Sequence, residues 1–247
     1  MIRIQNIPLS LDGDLEQLRN KAARALGVRP GTLESLTLVR QSIDARKKQD
    51  VHYVYTVDVS LHTGEEQAVE RAGSRNVSLT LPRPYVFPEV RRRSSSMPVV
   101  VGMGPAGLFA ALFLARNGIP SIVLERGKDV DARTADVEKF WAEGELDESS
   151  NVQFGEGVAG TFSDGKLTTG THDPRIAAVL DTLVEAGAPA DVKYSHKPHV
   201  GTDLLRGVIT SIRREIEALG GEVHFNTALT GFEQKNGTLT GIFTTNG

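Results

Sequence analysis

The 247 residues carry 28 basic and 31 acidic side chains, a net charge of −3, with 39% apolar residues and a mean hydropathy of −0.20. That is enough apolar material for one large or two smaller globular domains in a soluble protein. The chain has no cysteine, which excludes disulfides, thiolate metal sites and a cysteine redox pair, so electron transfer here would need a bound cofactor. No run approaches the roughly 18 consecutive apolar residues of a membrane span, and the first fourteen residues lack both the basic start and the apolar core of a signal peptide, so a cytoplasmic location is expected.

In chain order, residues 1–10 alternate apolar and polar as a strand does, and Leu15, Leu18, Ala22, Ala25 and Leu26 recur at helical spacing before Gly27. Val39 to Ile43 and Val51 to Val59 read as two strands around the charged turn from Asp44 to Asp50. The pattern predicts a small α+β domain over residues 1–90. Residues 91–97, Arg-Arg-Arg-Ser-Ser-Ser-Met, read as a linker, and residues 98–247 as a second domain. The two parts differ in charge, +4 over residues 1–97 and −7 over 98–247. The basic clusters Arg46-Lys47-Lys48 and Arg91-Arg92-Arg93 have no aromatic-basic motif beside them, so a solvated face is expected and nucleic-acid binding is not.

The second part opens with Pro98-Val99-Val100-Val101, then Gly102-Met103-Gly104-Pro105-Ala106-Gly107, then the apolar stretch Leu108 to Ala115. Strand, glycine turn and helix stand in the order that a dinucleotide-binding βαβ unit requires. Gly102 permits the tight turn, Gly104 the approach of backbone to a pyrophosphate, and Gly107 the close packing of helix on strand. Glu125 ends the next strand, Ser121 to Leu124, where a carboxylate can accept the hydroxyls of an adenosine ribose and would repel a 2′-phosphate. The motif does not decide between NAD and FAD. Beyond it the pattern predicts a helix near 131–143, helices over 174–186 and 203–219, a strand over 222–226 and a hairpin over 229–244. The fold class expected is α/β, a Rossmann-like domain preceded by the small α+β domain.

Between Asn151 and Leu167 lie Gly155, Gly157, Gly160 and Gly165, too many for a helix or a central strand. Two readings stay open. One is backbone lying close to a ligand, with Thr161, Ser163, Asp164 and Lys166 as polar groups beside it; the other is a plain loop. Thr202-Asp203 reads as the cap of helix 203–219 in preference to an acid–base pair of His199 with Asp203. Trp141 beside Phe140 reads as packing, and His172, Asp173 and His196 lack the spacing of a metal site.

These residues resemble the FAD-dependent proteins known as NAD(FAD)-utilizing dehydrogenases, relatives of the glutathione-reductase-like flavoproteins. The resemblance runs through residues 99–112, Glu125-Arg126-Gly127, Asn151 to Leu167 and Lys197 to Asp203, with Ser42 to Lys48 and Tyr55 to Val59 in the domain that precedes the flavin domain there. It implies FAD with Gly102, Gly104 and Gly107 at the pyrophosphate, Glu125 on the adenosine ribose, Gly160, Thr161, Ser163 and Lys166 near the pyrophosphate, ribityl chain or flavin ring, and Ala228 beside the adenine, with Pro105, Ala106 and Arg126 as further cofactor-binding residues. The family pattern has a second glycine where this chain has Val158, and its members are longer, so the chain is expected to be an N-terminal portion with an uncovered sheet edge through which it could self-associate.

The expected function is that of an FAD-dependent oxidoreductase whose flavin accepts hydride from a nicotinamide, NADH or NADPH, or from an organic donor, with Lys166 as the candidate catalytic contact. The substrate is not legible. The alternatives are an NAD-binding dehydrogenase built on the same βαβ unit and a non-catalytic nucleotide-sensing or RNA-associated protein.

Overall fold

The computed structural model describes residues 1–82, 84–88, 96–157, 159–162, 165–167, 169–171 and 173–246. They form two compact units. One comprises residues 1–85, 170–178 and 190–198; the other comprises 86–169, 179–189 and 199–247. The expected linker lies largely outside the described residues, at 89–95.

In the first unit the order is β1 (Ile2–Ser10), α1 (Leu15–Leu26), β2 (Leu33–Asp44), β3 (His52–Leu61), α2 (Glu65–Ala72) and β4 (Val77–Leu79). The strands pair antiparallel in the order β2-β3-β1-β4, the split βαβ arrangement of ferredoxin-like domains. Period-two alternation explains the sheet: Ile2, Ile4, Val57 and Val59 are buried and meet Leu18, Ala22, Ala23 and Leu26 of α1. Asp14 caps α1 by accepting from the Gln17 N–H, and Gly27 at positive φ ends it. The first strand of the expected hairpin is longer than predicted, starting at Leu33 rather than Val39, because Leu33 and Leu36 pair with Leu61 and Val59. Helix α2 and strand β4, which supply Ala68 and Val77 to the same core, have no counterpart in the predicted elements. Beyond β2, the Gln41 N–H donates to the Tyr194 carbonyl and its own carbonyl accepts from the His196 N–H, so residues 194–196 extend the ladder at this edge.

The second unit is α/β and Rossmann-like. It runs β5 (Val99–Val101), α3 (Pro105–Arg116), β6 (Ile122–Leu124), α4 (Val130–Glu143), α5 (Arg175–Glu185, whose first residues group with the other unit), α6 (Thr202–Ala218), β7 (Glu222–His224) and the hairpin β8 (Leu229–Lys235) and β9 (Thr238–Thr244). Strands β5, β6 and β7 pair in parallel in that order. Helix α6 buries a stripe of Leu205, Val208, Ile209, Ile212 and Ile216 at helical spacing and packs against α3 and α4. Two expectations are corrected. The N-cap of α6 is Gly201, with no side-chain hydrogen bond, since the helix already includes Thr202 and Asp203. Trp141 is 62% exposed at the end of α4, not packed. No helix among the described residues is long and apolar enough to cross a membrane.

Candidate functional site

All three parallel strands end at one cleft, where open α/β sheets bind their ligands. The turn after β5 supplies Val101, Gly102 and Gly104; the end of β6 supplies Leu124, Glu125 and Arg126; the segment after β7 supplies Thr227 and Ala228; and Gln153, Phe154 and Gly155 close the fourth side. The cleft holds about 380 Å³, and a second recess of about 430 Å³, lined by Glu148, Ser149, Asn226 and Asn246, shares Arg126 and Ala228 with it.

Glycine is required where the motif has it. Gly102 has φ +91°, a conformation that side-chain-bearing residues avoid. At Gly107 a Cβ would sit 1.9 Å from the Gly102 carbonyl oxygen, so α3 starts as close to β5 as two main chains allow. Gly104 is the N-cap of α3 in extended conformation, without a side-chain cap, and Pro105 takes the first helical position. The Leu108 N–H bonds to the Gly104 carbonyl; the N–H groups of Ala106 and Gly107 before it have no place in the helix ladder and are available to an anion at the positive end of the helix dipole.

Glu125 is 5% exposed, and its carboxylate is held by three main-chain amides. Oε2 accepts from the Met103 N–H at 2.7 Å, and Oε1 accepts from Gly127 at 2.9 Å and Gly155 at 3.0 Å. One side chain thus ties together the phosphate turn, the end of β6 and the glycine-rich segment. The Gly157 N–H adds a bond to the Met103 carbonyl. Arg126 is exposed at the mouth, its guanidinium 4.5 Å from the centre of the Phe154 ring.

The glycine-rich segment is braced from α4. Arg133 is fully buried; its guanidinium donates to the carbonyls of Asn151, Val152, Gly155 and Glu156 and lies over the Phe162 ring. Burial, only partly offset by the charges of Glu125 and Glu156, lowers its pKa to about 10. Glu156 is fully buried too. It accepts from the Val130 N–H at 2.8 Å and from Arg213 at 2.8 Å, yet burial still pushes its carboxyl above the ordinary range.

Asp147 opens the loop beside the second recess. Its carboxylate accepts from the Ser149 hydroxyl and N–H and from the Ser150 N–H, and Lys128 stands 3.3 Å away. These contacts, the Ser149 hydroxyl first, lower its pKa to about 2. A depressed carboxylate contributes stability above its unfolded pKa of about 4 and loses it as pH falls through the folded value, so Asp147 should stay ionised at pH 3. An NMR titration of its carboxyl carbon with a midpoint near 4 would contradict this arrangement.

Of the residues singled out from sequence, Gly102, Gly104, Glu125, Arg126 and Ala228 line the cleft together. Pro105 and Ala106 start α3 beside it, and Gly107 seats the helix. Gly160 and Thr161 lie in a single turn of 3-10 helix, Ala159–Phe162, and do not line the cleft. Thr161 is fully buried, and its hydroxyl has no hydrogen-bond partner among the described residues. Lys166 is exposed and opposite His199 in an isolated antiparallel bridge. Ser163, Asp164, Val158 and His172 are outside the described residues. His199 and Asp203 make no contact with each other that would pair them as acid and base. Phe154, Gly155, Thr227 and the bracing pair Arg133 and Glu156 were missed. Phe154, Gly155 and Glu156 left a signal, as part of the glycine-rich segment; Thr227 and Arg133 left none.

Residues 96–137 match the family model described as "FAD binding domain", and residues 1–60 match one described as "Domain of unknown function (DUF8436)". The first covers β5, the glycine turn, α3, β6 and Glu125, and the turn and amide-lined cleft fit a dinucleotide: the cofactor is FAD. An uncharacterized protein of Clostridium beijerinckii is 49% identical over 250 residues, 98% of this chain and 45% of that protein. The chain therefore spans less than half the length of this relative. Among solved structures, THI4 of Thermovibrio ammonificans overlaps 59% of this chain and 46% of its own at 16% identity and a TM-score of 0.37. The flavin-dependent monooxygenase PieE, solved with FAD and substrate, overlaps 56% of this chain and 25% of its own at 18% identity and a TM-score of 0.29.

Proposed function

We propose that this chain is the cofactor-binding part of an FAD-dependent oxidoreductase of the NAD(FAD)-utilizing dehydrogenase kind, related to the glutathione-reductase-like flavoproteins. The observation that carries the reading is the convergence of the Gly102–Gly107 turn and the amide-held Glu125 on one cleft at the ends of the parallel strands. In this reading the Ala106 and Gly107 N–H groups hold the pyrophosphate, Glu125 accepts from the adenosine ribose, and Arg126, backed by Phe154, covers the nucleotide from the solvent side. Bound FAD supplies a hydride acceptor, and a nicotinamide or an organic molecule is the donor. The exposed ammonium of Lys166 suits a place at the flavin ring, where a cation favours the electron-rich reduced state.

The test is reconstitution. Purified protein dialysed against FAD or NAD, each at equal concentration, should retain FAD with visible flavin absorption and discriminate against NAD. Glu125→Gln should lower retention by roughly tenfold to a hundredfold, since an amide presents an N–H₂ to at least one of the three main-chain donors that now face the carboxylate. Preferential retention of NAD would move the assignment to the alternative dehydrogenase; wild-type retention in the variant would remove Glu125 from the site.

A further inference from the structure

The carboxylate of Glu125 has little acceptor capacity left for a ligand. An ionised carboxylate offers about four lone-pair sites, two on each oxygen. Oε1 already takes two N–H groups, from Gly127 and Gly155, and Oε2 takes one, from Met103. Counting the donors among the described residues, one site remains, on Oε2. Accepting both hydroxyls of a ribose needs two.

The amide of Gly155 makes the difference, and the segment that carries it is wrapped around Arg133. Segment 151–156 belongs to no helix or strand. Besides the Glu156 N–H bond to the Lys128 carbonyl and the bonds that the Asn151 side chain accepts from Gln153 and Phe154, it is held by one buried guanidinium that donates to the Asn151, Val152 and Glu156 carbonyls at 2.6–2.8 Å and to Gly155 at 3.3 Å. Gly155 has φ +116°, and a Cβ there would lie 2.6 Å from Cδ of Arg133, so the arginine stem packs directly on the residue whose N–H faces Glu125. On the other side, Gly155 abuts Gly127, where an added Cβ would come within 2.6 Å of the Gly155 backbone. The segment is clamped from both faces.

Resting on the FAD reading of the cleft, we propose that Arg133 is a positioning residue that sets ribose selectivity: it holds the Gly155 N–H on Glu125, so that the carboxylate takes one ribose hydroxyl and is indifferent to the other. The chemistry is that of any adenosine nucleotide presented at this cleft.

The experiment uses the full chain loaded with FAD and reads free-flavin fluorescence as ADP, 2′-deoxy-ADP or 3′-deoxy-ADP displaces the cofactor. One deoxy nucleotide should need about tenfold more than ADP and the other within about twofold of it. Arg133→Lys keeps a cation but loses the planar fork, and Gly155→Ala pushes the same amide away through its Cβ. In either variant the two deoxy nucleotides should differ by less than about threefold, since Glu125 regains a second acceptor site. Comparable weakening of both deoxy nucleotides in the wild-type protein would overturn the single-hydroxyl assignment, as would weakening of neither. A preference unchanged in both variants would remove Arg133 from it. If Arg133→Lys does not fold, the wild-type comparison and Gly155→Ala still decide. Failure of ADP itself to displace FAD would overturn the nucleotide site and the selectivity with it.

Discussion

Alanine in place of Gly107 should cost the chain its FAD. The added methyl would stand 1.9 Å from the Gly102 carbonyl oxygen, a separation that real Cβ atoms do not show, and 3.0 Å from its carbonyl carbon. The obstacle is main chain, not a flexible side chain, so α3 must retreat from β5, and the retreat carries the Ala106 and Gly107 N–H groups away from the phosphate turn. Overpacking a core of this kind costs about 1–3 kcal/mol, and the upper end applies because neither backbone can rotate aside. Spread over the bound state, about 3 kcal/mol is a loss of more than roughly a hundredfold in affinity. Flavin absorption after gel filtration reads it out. Retention equal to the wild type would show that the turn tolerates a wider gap and that the phosphate assignment is misplaced.

The other large effect is expected at Arg213→Met. Glu156 is fully buried, and among the described residues Arg213 is the one cation hydrogen-bonded to its carboxylate, at 2.8 Å. Removing one partner of a buried pair costs about 3–5 kcal/mol, because the remaining charge is left uncompensated. For a unit of this size that is a fall of roughly 10 °C in the melting temperature of the second unit. The sign of the pH dependence follows from the direction of the Glu156 shift. Its carboxyl is held above the ordinary range by burial, and loss of Arg213 raises it further. A raised folded pKa favours the folded state below the unfolded value, about 4.3 for glutamate, and that advantage fades as pH rises through the folded value. The deficit of the variant relative to wild type should therefore be greatest near neutrality and shrink toward pH 5. Calorimetry at pH 5 and 7.5 compares the two; a deficit that grows on acidification would mean that Glu156 is not the group left unpaired. Glu156→Gln should be milder at neutral pH, since it leaves no unpaired carboxylate buried there, and Arg213, which loses its partner, is still partly exposed.

Much of this arrangement is written in short-range patterns. Val99 to Ala115 states its own structure, because the turn glycines, Pro105 at the first helical position and the apolar helix all obey local rules. The hairpin and α6 follow from their periods in the same way. What escaped reading depends on contacts distant in sequence. Arg133 sits on a helix of low amphipathicity and looks like a solvated side chain until segment 151–156 is wrapped around it. The place of Glu125 at the end of β6 is legible in the sequence, but the amides of Met103 and Gly155 that consume its acceptors lie 22 and 30 residues away. The short α2 and β4 were missed for a different reason. Each has a single buried side chain, Ala68 and Val77, too few to set a period.

The pairing of Gln41 with residues 194–196 bears on how the chain can be divided. Gln41 is in the outermost strand of the four-stranded sheet, and both of its main-chain groups are satisfied by Tyr194 and His196, more than 150 residues later. A polypeptide stopped at residue 90 would keep all four strands but strip that cover from β2. The unpaired amides would then be open to a strand from another molecule. Such a piece is expected to be folded yet sticky, losing monodispersity as its concentration rises. A synthetic peptide of residues 190–198 added in trans should restore its behaviour by covering that edge again.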